Sequence, residues 1–230
     1  MDSPEPPVSP AGINCLRTIY NLMEDSVPLR RIRVAQRLGV AGSTISETVA
    51  RLQEHGLLTT TPDNLIELTP AGHRIAASVV RRHRLAERML TDILGVPVSR
   101  VHSEAIRWEQ VINDDTERAI SNLVDGSVKS PWGNPIPSAD DGAENRVVPV
   151  HTGTSLTELV AGRAPTDVIV ESTSEEAQND PDTVRALVNA GIVPGSRITA
   201  VARRSHYLLR GTHAYELPTD SAHLVHVVRM

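Results

Sequence analysis

Two hydrophobic patterns divide the chain: apolar residues recur at helical spacing up to about residue 125, and they alternate with polar residues over much of the last third. The segment INCLRTIYNLM places Leu16, Ile19 and Met23 on one helical face, and RIRVAQRLGV adds a second, shorter helix. Helices are therefore expected first along the chain, and strands are expected to follow.

A third helix comes after a tight turn. The segment AGSTISETVARLQEHG offers Ser43 or Thr44 as an N-cap, Ile45 and Leu52 as part of a buried stripe, and Gly56 as the C-terminal stop. Two short helices joined by a Gly-containing turn are typical of a helix-turn-helix. The pattern predicts that the second of them is a recognition helix.

A wing and a basic helix accompany the helix-turn-helix. LLTTT and LIEL flank a Pro-Asp-Asn turn, which predicts a two-stranded wing. The net charge of −5 argues against indiscriminate nucleic-acid binding, but four arginines fall within residues 30–37 with no acid between them. A solvated helix face is the plainer interpretation; the neighbouring recognition helix favours contact with the phosphates of double-stranded DNA. The candidate DNA-contacting residues are Arg31, Arg33, Ser43, Thr44, Ser46, Glu47 and Arg51.

A long helix follows the wing, opened by Thr69 with Pro70 at the first helical position and stopped at Gly95 and Pro97. SRVHSEAIRWEQVI and DTERAISNLV are two further helices. Three short helices alone would leave apolar side chains uncovered, so the pattern predicts a helical homodimer interface. The residues that carry this prediction are Ile75, Val79, Leu85, Met89, Ile93 and Trp108.

The last third of the chain has a different composition. Residues 126–147 are rich in Gly, Pro, Ser and Asp, which marks a linker. Alternating runs such as DVIVES, RITAVA and LVHVV then predict a small β-barrel. The expected fold class is mainly α with a small β domain.

Bulk composition narrows the setting. The chain has 230 residues and 40% hydrophobic content, enough for two or three small folded domains. Its one cysteine, Cys15, can form no internal disulfide, and the first residues lack the pattern of a signal peptide. No apolar run approaches a membrane span. We therefore expect a cytoplasmic protein without a membrane partner.

Candidate metal chemistry lies on the long helix. His83 and Glu87 are four residues apart and project from one helical face, and His102 follows a Gly-Pro break. An imidazole and a carboxylate at this spacing suit a divalent transition metal, but they also suit a surface ion pair. The residues alone leave both interpretations open.

Taken together, several stretches resemble the diphtheria toxin repressor family of iron- and manganese-dependent regulators. They include LRTIYNL, STISETVARLQEHGLL, LTPAG, HRLAERMLTDILG, VHSEAIRWEQVI and SPWGNPIP, with weaker matches at EEAQ and VPGS. The resemblance implies a winged helix-turn-helix DNA-binding domain over residues 1–77, a helical dimerisation and metal-binding domain with a Pro-rich linker over 78–144, and an SH3-like domain over 145–230. It also implies a homodimer that represses genes of metal homeostasis by binding a palindromic operator when metal is bound.

The resemblance further implies metal sites. An ancillary site carries over onto His83, Glu87, His102, Glu175 and Gln178, and an anion site onto Arg84, Ser130 and Asn134. The family points to Fe²⁺ or Mn²⁺. The ligand chemistry alone also suits Co²⁺, Ni²⁺ or Zn²⁺.

A second, regulatory site departs from the family pattern. Its positions hold Asn14, Ile106, Glu109 and Gln110. The side chain of Ile106 has no ligating atom, carboxamides are weak ligands, and only Glu109 is anionic. Either the ancillary site carries the metal response, or something other than metal sets the DNA-binding state.

Two other classes of function remain open from the residues. One is a metal-independent or other-effector DNA-binding regulator in which the metal is structural. The other is a mononuclear metalloenzyme, because two histidines and one carboxylate also form an iron oxygenase triad. Glu175 and Gln178 would fill the open positions such chemistry needs, so we expect no enzyme. The Pro-rich linker is also a natural ligand for an SH3-like barrel in the same chain, which predicts an intramolecular contact.

Overall fold

The structure is a computed structural model that describes residues 8–124, 126–139, 153–162 and 164–230. These residues form two compact units. The first contains residues 8–81 and 137–139, and the second contains 82–124, 126–136, 153–162 and 164–230. The long helix α4 contributes residues to both.

The first unit is the predicted winged helix. It comprises helices α1 (Pro10–Glu24), α2 (Arg31–Leu38) and α3 (Gly42–Glu54), strands β1 (Leu58–Thr60) and β2 (Ile66–Leu68), and the start of α4 (Pro70–Arg88). Strands β1 and β2 pair antiparallel. Its core includes Leu16, Ile19, Ile45, Val49 and Leu52 from α1 and α3.

Local signals explain most helix ends in this unit. Ser9 caps α1 by accepting from the backbone N–H of Gly12, and Gly39 adopts a left-handed conformation at the end of α2. The predicted cap of α3 by Ser43 or Thr44 is wrong, because α3 begins at Gly42 with Ala41 as its N-cap. Both hydroxyl residues therefore lie inside the first turn and are exposed.

The second unit combines helices with an antiparallel sheet. Its helices are the end of α4, α5 (Val98–Trp108), α6 (Asp114–Leu123), α7 (Leu156–Leu159), α8 (Glu175–Gln178), α9 (Pro181–Asn189) and α10 (Thr219–Ala222). Its strands are β3 (Thr154–Ser155), β4 (Thr166–Thr173), β5 (Arg197–Ala202), β6 (His206–Arg210), β7 (Ala214–Pro218) and β8 (Val225–Arg229). The strand order is β3-β8-β4-β5-β6-β7. Helices followed by a small β domain confirm the predicted fold class.

Helix α4 differs from the prediction at its C-terminal end. The α-helix ends at Arg88 and continues as a single π-helical turn, Met89–Ile93. Leu85 and Met89 pack into the helical core of this unit, whereas Ile93 and Trp108 are 49% and 38% exposed. Only part of the predicted interface is therefore apolar surface available to a second copy of the chain.

The first half of the predicted linker is folded. Residues 128–136 form a compact turn closed by a bridge between Lys129 and Pro135, and Trp132 within it is completely buried. The backbone N–H of Thr173 in β4 donates to the carbonyl of Trp132 at 2.9 Å. A Cβ at Gly133, whose φ is +82°, would lie 2.1 Å from the carbonyl oxygen of Glu171. The close approach and the positive φ both require glycine there. Residues 140–147 of the predicted linker lie outside the described residues.

Candidate metal centre

Two candidate ligands lie one turn apart on the buried face of α4. His83 and Glu87 are both completely buried, and His83 Nε2 lies 3.2 Å from Glu87 Oε1. Residues four apart on a helix project from the same face, so this proximity follows directly from the sequence. Burial excludes the exposed ion pair that the sequence left open.

Helix α5 brings in the third candidate ligand. His102 is 5% exposed, and its Nδ1 lies 3.0 Å from His83 Nε2 and 3.1 Å from Glu87 Oε1. The ligand atoms of His83, Glu87 and His102 all lie within 4.8 Å of one another. We call these three residues the cage. Two imidazole nitrogens and a carboxylate facing one point form a donor set suited to a divalent transition metal.

The outward-facing nitrogen of each cage histidine has its own partner. His83 Nδ1 lies 2.7 Å from Oε2 of Glu109, which is 4% exposed and follows the last residue of α5. His102 Nε2 lies 3.1 Å from the side-chain oxygen of Asn179, which follows α8. One nitrogen of each ring is thus directed into the cage and the other towards a neighbouring acceptor.

Electrostatics in the cage favour an ion pair. Burial alone would lower the pKa of His83, but the charges of Glu87 and Glu175 and hydrogen bonds with Glu109 and Glu87 outweigh it and raise the pKa to about 10. Burial alone would raise the pKa of Glu87, but the charge on His83 and hydrogen bonds with both histidines lower it to about 2. An ion entering the cage must therefore displace a proton from His83.

The two predicted ligands on α8 are buried, and each bonds to a group outside the cage. Glu175 and Gln178 are each 4% exposed. Arg84 Nε donates to Glu175 Oε1 at 2.9 Å, and Gln178 Nε2 donates to the carbonyl of Thr173 at 2.8 Å. Within the described residues, the group of His, Cys, Asp and Glu side chains with metal-ligand spacing is limited to His83, Glu87 and His102.

The predicted anion-binding residues are buried in the same unit. Arg84, Ser130 and Asn134 are each 1% exposed. Ser130 Oγ accepts from the backbone N–H of Trp132, and Asn134 Nδ2 donates to the carbonyl of Thr173 at 2.9 Å. Arg84 also donates to the carbonyl of Pro135 at 2.5 Å, whereas the side-chain oxygen of Asn134 makes no hydrogen bond.

Unpaired acceptors support a fit to metal. Glu87 Oε2 and Gln178 Oε1 are buried oxygens that make no hydrogen bond. Buried acceptors without a donor are costly, and a cation satisfies them where an anion would not. The donor set of two imidazoles with carboxylate and amide oxygens suits Fe²⁺, Mn²⁺, Co²⁺ or Zn²⁺, so the residues fit the group that the sequence predicted.

The residues of the predicted regulatory site have different surroundings. Asn14 is half-buried on α1 in the first unit. In the second unit Ile106 is half-buried, Gln110 is exposed, and Glu109 is bonded to His83. The structure therefore brings Glu109, the anionic member of this set, to the cage.

The candidate DNA-contacting residues of α3 share one surface. Ser43, Thr44, Ser46, Glu47 and Arg51 are exposed, while Ile45 and Leu52 point into the core. The Ser46 hydroxyl donates to the carbonyl of Gly42 at 2.8 Å. On α2, Arg33 is exposed, and Arg31 reaches the Thr60 hydroxyl of the wing at 3.4 Å. Glu47 and Arg51 are one turn apart, so α3 presents both charges on that surface.

Comparison with known protein families defines the class of protein. A model of the iron dependent repressor N-terminal DNA binding domain matches residues 14–65. A model of the iron dependent repressor metal binding and dimerisation domain matches residues 69–138. A winged helix followed by a domain of metal-binding and dimerising type is thus recognised along the chain. The chain belongs to the iron-dependent repressor family, which includes the diphtheria toxin repressor.

Individual relatives agree with this assignment. The iron-dependent repressor IdeR of Mycobacterium tuberculosis is 39% identical over 225 residues, covering 94% of this chain and 95% of the relative. The diphtheria toxin repressor of Corynebacterium diphtheriae is 39% identical over 216 residues, covering 92% and 94%. A solved manganese-dependent transcriptional repressor in complex with manganese superposes with a TM-score of 0.79 at 29% identity, covering 95% of this chain and all of that one. The predicted family is confirmed.

None of the helices in the described part of the chain is long and apolar enough to cross a bilayer.

Sequence reasoning missed three contacts of the site. The Glu109 partner of His83, the Asn179 partner of His102 and the ion pair of Arg84 with Glu175 join residues 26, 77 and 91 positions apart. The family resemblance assigns Glu109 to the regulatory site and Arg84 to the anion site, and it assigns no role to Asn179. The hydrophobic period of a single helix cannot predict contacts between residues so far apart in the sequence.

Proposed function

We propose that this chain is a divalent-metal-responsive transcriptional repressor that binds a palindromic DNA operator as a homodimer. Fe²⁺ and Mn²⁺ are the proposed effectors, because the similar repressors are named for iron or for manganese. Its place of action would be the cytoplasm, where such DNA lies. Membership of a repressor family argues for a binding protein and against an enzyme.

The observation that carries the proposal is the buried cage. His83, Glu87 and His102 would hold the ion, and Glu175 and Gln178 from the barrel would complete its coordination. A bound divalent cation would supply positive charge that links α4 and α5 to α8. The chain's own residues prepare this site: Arg84 holds the Glu175 carboxylate beside it, and Thr173 fixes the Gln178 side chain.

A homodimer would hold two copies of the recognition helix α3 at a fixed distance from each other. Half-sites of a palindrome lie about one helical turn of DNA apart, so the dimer must hold its recognition helices at that separation. Exposed apolar side chains of the second unit support a self-complementary interface: Ile93, Leu94, Trp108 and Val111 are 38–74% exposed. Ser43, Thr44, Ser46, Glu47 and Arg51 would face the DNA, with Arg31 and Arg33 on phosphates.

Operator binding with and without metal tests the proposal. We would select an operator from a randomised duplex pool, then measure fluorescence anisotropy in chelator and with Fe²⁺, Mn²⁺, Co²⁺ or Zn²⁺ at fixed ionic strength. The proposal predicts tight binding only with metal, lost in His83→Ala and retained in Gln110→Ala. Equal binding in chelator would contradict it and favour a metal-independent regulator. That alternative is suggested by Asn14, Ile106 and Gln110, which are poor metal ligands at the regulatory-type positions.

We also propose that the Pro-rich segment weakens operator binding through its contact with the barrel. The bonds of Trp132 and Asn134 to Thr173 support this role. Gly133→Ala would place a methyl group against the carbonyl of Glu171 and weaken the contact. Tighter operator binding by this variant at equal metal occupancy is expected. Unchanged binding, with Trp132 fluorescence showing that its environment has altered, would remove the proposal.

A further inference from the structure

The two cage histidines present different nitrogens to the cage. His83 directs Nε2 towards Glu87 and His102, whereas His102 directs Nδ1 towards His83 and Glu87. The rings meet edge to face, with centroids 4.7 Å apart and planes at 69°. Each ring therefore has one nitrogen facing outwards, and the two outward nitrogens are of opposite type.

Each outward nitrogen meets an oxygen acceptor. The carboxylate of Glu109 faces Nδ1 of His83 at 2.7 Å, and the side-chain oxygen of Asn179 faces Nε2 of His102 at 3.1 Å. An imidazole that donates one N–H to such an acceptor carries its lone pair on the other nitrogen, which is the nitrogen that can bind metal. A carboxylate acceptor also makes the ring a stronger ligand than an amide does.

We propose that Glu109 and Asn179 are positioning residues that fix complementary tautomers, so that His83 coordinates through Nε2 and His102 through Nδ1. This inference rests on the part of the proposed function that places an ion in the cage. It gives Glu109 a role different from the regulatory-site ligand suggested by its position in the sequence. The Glu109 carboxylate serves the ion in the cage, so a second ion would find only the uncharged side chains of Ile106 and Gln110 beside it in the sequence.

The tautomers are directly measurable in the wild-type protein loaded with Zn²⁺. Long-range ¹H–¹⁵N correlation spectra of the histidine rings should show His83 protonated at Nδ1 and His102 protonated at Nε2. The opposite tautomer at either ring would overturn the assignment for that ring. This readout needs no variant and no DNA, so it stands even if a substituted protein fails to fold.

Glu109→Gln measures the contribution of the carboxylate. Loss of an outer partner of a metal-bound histidine weakens binding by about 10–100-fold, so we expect the Co²⁺ affinity to fall by that factor with a changed visible absorption spectrum. Asn179→Ala should lower the affinity less, because a neutral acceptor is lost. Glu104→Gln is the matched control: Glu104 lies on α5, pairs with Arg107 and has a 31% exposed side chain. Its Co²⁺ affinity and spectrum should match the wild type.

Two outcomes would overturn the role of Glu109. One is an unchanged Co²⁺ affinity and spectrum in Glu109→Gln. The other is a wild type that binds two ions and a Glu109→Gln variant that loses one while the remaining ion binds as before. If metal fails to alter operator binding while the tautomers and affinities are as expected, the proposed function fails and this inference stands. Absence of any Co²⁺ binding by the wild type would overturn both.

Discussion

His83 and Gln110 both occupy positions that the family resemblance assigns to metal, but the structure surrounds them differently. His83 is completely buried and contacts Glu87, His102 and Glu109, whereas Gln110 is exposed after the end of α5. Neutral Gln110 and apolar Ile106 give the second region little attraction for a cation. The comparison teaches that the buried side chains of His83, Glu87 and His102 form a donor set suited to a divalent metal, whereas Ile106 and Gln110 offer a cation little.

The largest effect is expected from Glu87→Gln, which removes the cage carboxylate with little change in volume. Co²⁺ affinity should fall by more than about 100-fold, because a charged ligand is lost. The metal-free protein should also lose about 3 kcal/mol of unfolding free energy, because a buried pair with His83 is broken. Calorimetric titration and urea unfolding measure the two effects. Wild-type values for both would contradict the buried ion pair.

The stability of the metal-free protein should also depend on pH, because it includes the buried ion pair of His83 and Glu87. The stability from His83 is fully present below pH 6.5 and lost as the pH rises through about 10, because its pKa is raised on folding. The stability from Glu87 is fully present above pH 4.5 and lost as the pH falls through about 2, because its pKa is lowered. Both contributions are therefore complete between pH 4.5 and 6.5.

Urea unfolding of the metal-free protein across pH checks this window, with Glu87→Gln as the comparison. The stability difference between wild type and variant should be largest inside the window. Metal affinity should rise with pH, because the ion must displace the proton of His83 when it binds. At neutral pH the Co²⁺ affinity should rise by up to about tenfold per pH unit. If neither the stability difference between wild type and Glu87→Gln nor the Co²⁺ affinity changed with pH, His83 would not carry the proton that the ion pair requires.

A smaller effect is expected on DNA recognition. Glu47 is exposed on α3, and a carboxylate can accept from cytosine N4, whereas a carboxamide pairs with adenine. Glu47→Gln should change base preference at one operator position by about tenfold, within the range of a single base contact. Selection from a randomised duplex pool measures it, with Glu54→Gln at the end of the same helix as the control. An unchanged base profile would place Glu47 away from the bases.

The smallest effect is expected from Gln110→Ala. An exposed side chain without a structural role contributes within about 0.5 kcal/mol, so unfolding free energy should change by no more than that. The number of Co²⁺ ions bound per chain should be unchanged. Loss of an ion in this variant would show that the second region does bind metal, and it would remove the contrast with the cage.

The elements of the fold could be predicted because their signals are local. Period and turn residues indicated the helices of the winged helix and the strands β1 and β2, and Thr69 with Pro70 marked the start of α4, where Thr69 Oγ1 accepts from the backbone N–H of Gly72. The cap of α3 was wrong because Ser43 and Thr44 follow a small residue that can also begin a helix. The π-helical turn after Arg88 has no sequence signature in the hydrophobic period.

The cage was predictable in part for the same reason. His83 and Glu87 are neighbours through helical geometry alone, while His102 entered through the family resemblance. The Glu109 partner of His83 was not predicted, because it depends on how α5 packs against α4, which neither helix encodes by itself. The bond between Arg84 and Glu175 likewise requires the folded position of α8.

The central claim is that one ion is held in the cage and none by the regulatory-type residues. Crystals of the Co²⁺-loaded protein, measured at the cobalt absorption edge, test it most directly. The account predicts a single anomalous peak per chain, bounded by His83, Glu87 and His102. A peak beside Glu109 and Gln110, with or without one in the cage, would contradict it.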